Sequence, residues 1–261
     1  MKDIISIAIE AAYLGGLEIL DVYESDFAVE TKDDKSPLTL ADKNAHLKIV
    51  EILGEDLPVL SEEGKSIEFD ERSGWNRFWM VDPLDGTKEF VKRNGEFTVN
   101  IALIENGKSV GGVIYVPVKK DLYFGAVGMG SFKVSDFDGA SYRWDELTDK
   151  AESLPAPADS DKYRAVGSRS HMSPETEEFF EELKKEHGEI EVVSMGSSLK
   201  ICLVAEGSAN VYPRFAPTME WDTAAGHAIA KGAGKNIMDY TTKEEMRYNK
   251  ENLLNNWFIV R

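Results

Sequence analysis

Residues 79–90 read W-M-V-D-P-L-D-G-T-K-E-F. Phe78, Trp79, Met80 and Val81 form a short apolar run, the pattern of a strand buried in a sheet. Asp82 is expected to close that strand, Pro83 to stop ladder pairing, and Gly86 to supply a turn. Asp82 and Asp85 would then stand three residues apart at a strand end, with the carbonyl of Leu84 between them. Hard oxygen ligands from one rigid corner suit Mg2+, which takes one or two protein carboxylates and keeps other positions for water and phosphate. An Asx-type turn, with both aspartates bound only to nearby backbone N–H groups, is the plainer alternative.

The 261 residues and 42% apolar content allow one large domain or two small ones with a proper core. A formal net charge of −17 argues against a broad nucleic-acid or anionic-membrane surface. It leaves room for one phosphorylated small molecule, since a bound divalent cation inverts the local field. Cys202 is the only cysteine, which excludes an internal disulfide and a thiolate cluster. The first ten residues, M-K-D-I-I-S-I-A-I-E, show helical spacing rather than a signal-peptide core. No apolar stretch nears the roughly 20 residues that span a bilayer. A soluble cytoplasmic protein is expected.

Helical spacing predicts helices over 3–23 and 39–53, separated by the polar loop at 31–37. Thr39 with Asp42 three residues on resembles a capping box, which gives Asp42 a purely structural alternative. P-V-L-S-E-E-G at 58–64 reads as a short strand ending in Glu62 and Glu63. Strands at 98–104, 111–116 and 122–127 make an antiparallel meander. The Ala-, Pro- and Ser-rich stretch at 150–162 is the best linker, dividing 1–155 from 156–261. Beyond it come a strand at 163–166, a helix capped by Ser173 and opened by Pro174, and a strand at 190–193. G-S-S-L-K at 196–200 opens a further helix. A strand at 209–212, an alanine-rich helix from Trp221 and Asp222 to Ala230, and a closing strand at 257–260 complete the chain.

Glu62 and Glu63 could be solvated acids or ligands. Asp222 could be an N-cap or a ligand, and the small residues after it would let another backbone or a ligand approach. G-S-S-L-K offers Gly196, Ser197 and free N–H groups at a helix start, which suits an anion or merely caps the helix.

S-E-E at 61–63, D-P-L-D-G-T at 82–87 and W-D-T-A-A-G at 221–226 occur in order, widely spaced. Together they resemble the signature of the inositol monophosphatase and fructose-1,6-bisphosphatase superfamily of metal-dependent, lithium-sensitive phosphatases. Residues 81–104, G-S-S-L-K-I-C-L-V-A-E-G at 196–207 and Y-P-R-F-A-P-T-M-E-W-D-T-A-A-G-H-A at 212–228 are similar to its bacterial CysQ branch, the 3′(2′),5′-bisphosphate nucleotidases. The likeness runs from P-L-T-L-A-D at 37–42 to the closing strand; the one departure is A-G-K at 233–235, where A-G-G is common.

The resemblance implies an α/β fold, a layered αβαβα sandwich whose halves meet over the metals. It assigns Glu62, Asp82 and the Leu84 carbonyl to one Mg2+, and Asp82, Asp85 and Asp222 to a second, with a third, weaker ion near Glu62. It makes Asp42 and Thr87 the pair that orients and deprotonates water, with Glu62 beside them. Two metals flanking the attacking and leaving oxygens would lower the water's pKa and neutralise phosphoryl charge. The expected substrate is adenosine 3′,5′-bisphosphate or its sulfated relative PAPS, contacted by Glu62, Leu84, Asp85, Gly86, Thr87, Gly196, Ser197 and Asp222. The resemblance also admits peripheral association with the inner membrane.

Among the basic residues in or beside these motifs (Lys88, Arg93, Arg169, His171, Lys200 and Arg214), the expected holders of the uncut phosphate are Lys200 and Arg214, then His171. An inositol or sugar phosphatase with the same metals is the alternative enzyme. A non-catalytic phosphonucleotide sensor would be expected to lack a ligand, and Glu62, Asp82, Asp85, Asp222, Asp42 and Thr87 are all present.

Overall fold

The computed structural model describes residues 1–25, 37–156, 162–167 and 172–261. The N-terminal half contains α1 (Lys2–Tyr23), α2 (Pro37–Leu53), β1 (Val59–Ser61), α3 (Phe69–Arg72), β2 (Arg77–Asp85), α4 (Thr87–Val91), β3 (Thr98–Glu105) and β4 (Lys108–Val116). It continues with β5 (Asp121–Ala126), β6 (Gly130–Val134), α5 (Trp144–Thr148) and β7 (Glu152–Leu154). The remainder comprises β8 (Tyr163–Val166), α6 (Pro174–His187), β9 (Ile190–Val193), α7 (Leu199–Glu206), β10 (Tyr212–Arg214), α8 (Glu220–Gly232), β11 (Ile237–Asp239) and β12 (Phe258–Val260).

Strands β1 to β7 form one sheet in sequence order, with β1 parallel to β2 and every later pair antiparallel. The run around Trp79 is continuously apolar because β2 is covered on both faces. Trp79 and Val81 pack with α1 and α2, whereas Phe78 and Met80 pack with α7 and α8. On the first face Ile5, Ile9 and Ile19 of α1 and Ile49 of α2 are fully buried. Each such side chain contributes about 1.5–3 kcal/mol relative to exposure.

The second face carries α8, held by Ser109 Oγ to Ala224 O at 2.6 Å and Ser131 Oγ to Ile229 O at 2.7 Å. Gly112 permits that approach, since a Cβ there would lie 2.2 Å from Ala225 O. Beyond α7 and α8 lie the pair β8–β9 and the small sheet β10–β12–β11. Helix α6 closes the stack, packing Phe180 and Leu183 against Ala165, Val211, Phe215 and Ile259. The architecture is therefore the five-layer αβαβα sandwich.

Several local expectations shift. β2 does not stop at Asp82: pairing runs from Asp82↔Asn100 to Asp85↔Thr98 across a register irregularity. Pro83 sits inside that irregularity, where no ladder N–H is demanded of it. Helix α2 starts at Pro37, so Thr39 lies inside its first turn and is not the N-cap of a box with Asp42. Its buried face is Ala41, Ala45, Ile49 and Leu53, and Leu47 points to solvent. Part of the expected linker is the edge strand β7, paired with β6, while 157–161 lie outside the described residues. β10 begins at Tyr212, after a single bridge at Val211.

Candidate active site

Period-two geometry aims the acids. Asp82 shares the face of Phe78 and Met80, which is the face that α8 covers. Glu62 N–H donates to Val81 O at 3.1 Å, extending the parallel register of β1 and setting Glu62 beside Asp82. Just before Glu62, Ser61 Oγ lies 2.9 Å from His46 Nδ1 of α2, tying the two elements together. Asp222 is the third residue of α8 rather than its N-cap, and Met219 N–H donates to its Oδ2 at 2.9 Å. One ligand oxygen each from Glu62, Asp82 and Asp222 lie within 4.8 Å of one another.

Asp82 also forms the Asx-type turn, with Leu84 N–H donating to its Oδ1 at 3.1 Å. The turn and the acidic cluster therefore coexist in one side chain. Asp85 is the last residue of β2, and Thr87 opens α4. Gly86 between them has φ +98°, and a Cβ there would press on Ser197 and Phe97, so the corner needs glycine.

The charges are crowded. Burial first, then Asp85, Glu62, Asp222 and Asp42, pushes the Asp82 carboxyl well up. Burial followed by Asp85 raises Asp222 to about 7, against the pull of the Met219 N–H and Arg214. Asp42 is pushed up to about 8 by burial and then by Glu63 and Glu62. Its Oδ1 is buried and, among the described residues, takes no hydrogen bond from Thr87 or any other group. Burial also pushes Glu62 up. Carboxylates crowded together by burial suit a hard divalent ion, as does a donor set made only of oxygen.

A cavity of about 650 Å3 opens from this corner. Asp85, Gly86 and Thr87 line it on one side, and Gly196, Ser197, Lys200 and Arg214 on the other. Ser197 is held at φ +43° with its Oγ buried and without a partner among the described residues. Lys200 Nζ donates to Met195 O at 3.3 Å, and burial pushes this amine down. Arg214 donates through Nη2 to Pro217 O at 3.1 Å, and its buried Nε has no partner among the described residues. Lys88 is exposed at the rim. Arg93 is turned away, donating to Ser25 O and lying over the Tyr23 ring. Arg169 and His171 lie outside the described residues.

Three contributors were not singled out from the sequence: Thr98, Asn100 and the hydroxyl of Ser198. Thr98 and Asn100 sit two apart on the α8-facing side of β3, buried in a strand whose other residues up to Ile104 are apolar. That polar alternation in T-V-N-I-A-L-I was the available signal. Glu96 Oε2 accepts the Gly196 N–H at 2.8 Å and so holds the cavity loop.

Comparison with known proteins supports one family. The model of the inositol monophosphatase family matches residues 1–258. The 3′(2′),5′-bisphosphate nucleotidase CysQ of Salmonella typhimurium is 46% identical over 250 residues, covering 94% of both chains. Its Escherichia coli counterpart is 44% identical with the same coverage. The crystal structure of CysQ from Bacteroides thetaiotaomicron superposes with a TM-score of 0.95 at 54% identity, over 100% of this chain and 97% of that one. Inositol monophosphatase II of Staphylococcus aureus shares the fold, with a TM-score of 0.73 at 22% identity over 98% and 90% of the two chains. The chain belongs to the inositol monophosphatase family.

Proposed function

We propose that the protein hydrolyses the 3′-phosphate of adenosine 3′,5′-bisphosphate to give AMP and inorganic phosphate, and that it accepts PAPS as a related substrate. The observation that carries this reading is the pairing of two unlike sites in one cleft. Asp85 of the acidic corner lines the large cavity together with the cations Lys200 and Arg214, and a smaller cavity is lined by Asp85, Asp222, Lys200 and Arg214. A bisphosphate needs such a pair, one site for the phosphate that is cut and one for the phosphate that stays. The relatives named 3′(2′),5′-bisphosphate nucleotidase support the same choice.

Glu62, Asp82, Asp85, Asp222 and the Leu84 carbonyl would hold two Mg2+ ions, with a third, weaker ion near Glu62. When bound, Mg2+ supplies positive charge that lowers the pKa of a water and offsets charge on the phosphoryl oxygens. Asp42 and Thr87 receive the proton of the attacking water. The water oxygen bonds to phosphorus, the bond to the ribose O3′ breaks, and that oxygen takes up a proton. Arg214 and Lys200 hold the 5′-phosphate, with Ser197 Oγ alongside, while Gly196 lines the cavity with its N–H bound to Glu96. Residues 1–155 supply most of the acidic corner, and 156–261 supply Asp222 and the cationic wall.

A substrate panel in Mg2+ tests the assignment. Adenosine 3′,5′-bisphosphate should show the highest kcat/KM, above 3′-AMP, inositol 1-phosphate and fructose 1,6-bisphosphate. Preference for inositol 1-phosphate would overturn it. Among the described residues no helix is long and apolar enough to cross a membrane.

A further inference from the structure

We propose that Thr98, Asn100 and Ser198 are positioning residues that lock the Asp85 carboxylate so that one oxygen, Oδ1, is presented to a divalent cation. The proposal rests on the metal reading of the acidic corner. All the hydrogen bonds that these residues make to Asp85 go to Oδ2. Ser198 N–H and Ser198 Oγ each donate to it at 2.6 Å, with Asn100 Nδ2 at 3.4 Å, and Thr98 Oγ1 stands 3.5 Å away with its proton directed to Asn100. An oxygen so occupied has no capacity left for a metal, and Oδ1 takes none of these bonds.

The chain behind Asp85 has a direction. Thr98 Oγ1 donates to Asn100 Oδ1 at 2.9 Å, which sets the amide so that Nδ2 donates to Ser198 Oγ at 2.9 Å. The Ser198 hydroxyl proton must then point away from Asn100. It faces Asp85 Oδ2 at 2.6 Å and Asp222 O at 2.7 Å. One hydroxyl thereby joins the end of β2, the start of α7 and the first turn of α8. Two elements that carry acids of the corner keep a set spacing through it.

Thr98, Asn100 and Ser198 are 0%, 1% and 3% exposed. Burying three polar side chains is costly unless each is paired, and an apolar residue would serve packing alone at lower cost. Their side-chain bonds run to one another, to Asp85 and to the backbone of Asp222. The polar face of β3 exists to orient a carboxylate.

Calorimetric titration of Mg2+ into Asn100→Ala, Ser198→Ala, Thr98→Val and Thr98→Ser, beside the wild type, tests this without relying on turnover. Loss of groups that orient a ligand typically weakens metal affinity about 10–100-fold, and that range is expected for Asn100→Ala and Ser198→Ala. Thr98→Val should weaken it less, and Thr98→Ser should restore it because the hydroxyl returns. At saturating Mg2+ the KM for substrate should stay at the wild-type value while the Mg2+ activation curve moves to higher concentration. If either alanine variant fails to fold, the near-isosteric Val and Ser pair at 98 decides the matter, and equal Mg2+ affinities for the two overturn the proposal. Wild-type Mg2+ affinity in folded variants overturns the positioning role alone. A wild type that takes up no Mg2+ overturns the metal reading and this proposal with it.

Discussion

Replacing Asp222 with Asn should make the metal-free protein more stable at alkaline pH while weakening its response to Mg2+. The Asp222 carboxyl stands at about 7, raised from an ordinary 3.8 by burial and then by the charge of Asp85. The folded state therefore keeps a proton that the unfolded chain releases. The stability this group contributes is fully present below about pH 3.8 and is lost as pH rises through about 7. A rise of that size corresponds to about 4 kcal/mol at pH 8. Asp222 is only half-buried, so solvent screening brings the expected effect to about 2 kcal/mol, or roughly 4–8 °C in Tm for a chain of this length. Asparagine keeps the acceptor for the Met219 N–H, so the first turn of α8 should survive the change. Thermal unfolding in chelator at pH 8 and pH 5 reads this directly, with the variant ahead at pH 8 and the gap narrower at pH 5. Mg2+ at 100 times its dissociation constant should stabilise the wild type by about 2.7 kcal/mol per site filled, and the variant by less, because only the site that uses Asp222 is impaired. A metal-free variant no more stable than wild type at pH 8, or one that Mg2+ stabilises equally, refutes the crowded-carboxylate account of the site.

Two further outcomes follow from the cleft. Thr87→Ala and Asp42→Ala should each lower kcat by roughly 100-fold or more, the range of a positioned acid–base group, with little change in KM; the double variant should be no worse than the worse single, and additive losses would show that the two act separately. Arg214→Ala and Lys200→Ala should raise KM for adenosine 3′,5′-bisphosphate far more than for 3′-AMP, and an equal loss on both substrates would remove the 5′-phosphate role.

Much of this architecture is legible in the order of residues. The apolar run before Asp82 makes a strand wherever it lies, because Phe78, Trp79, Met80 and Val81 are buried on alternating faces. Ser173 and Pro174 start α6 by local chemistry alone, with Ser173 Oγ accepting the Thr176 N–H at 3.3 Å. The motifs at 61–63, 82–87 and 221–226 carry the family because their spacing is specific. Capping, turn chemistry and periodicity act over a few residues, and the chain displays them openly.

What the sequence could not display is proximity. Thr39 and Asp42 have the spacing of a capping box, yet α2 begins at Pro37 and folding buries Asp42 beside Glu63 and Glu62. Asp222 precedes an alanine-rich run like an N-cap, yet Glu220 and Trp221 already belong to the helix, which makes Asp222 its third residue. Asp85 looks equivalent to Asp82 in D-P-L-D, but only Asp85 meets Ser198, 113 residues away in sequence. The upward shifts of Asp42, Asp82 and Asp222 have the same origin: desolvation and mutual repulsion depend on distances that exist only once the sheet, α2 and α8 have packed. Local spacing chose the residues that form the site, and long-range packing decided which of their oxygens face it and what charge they carry.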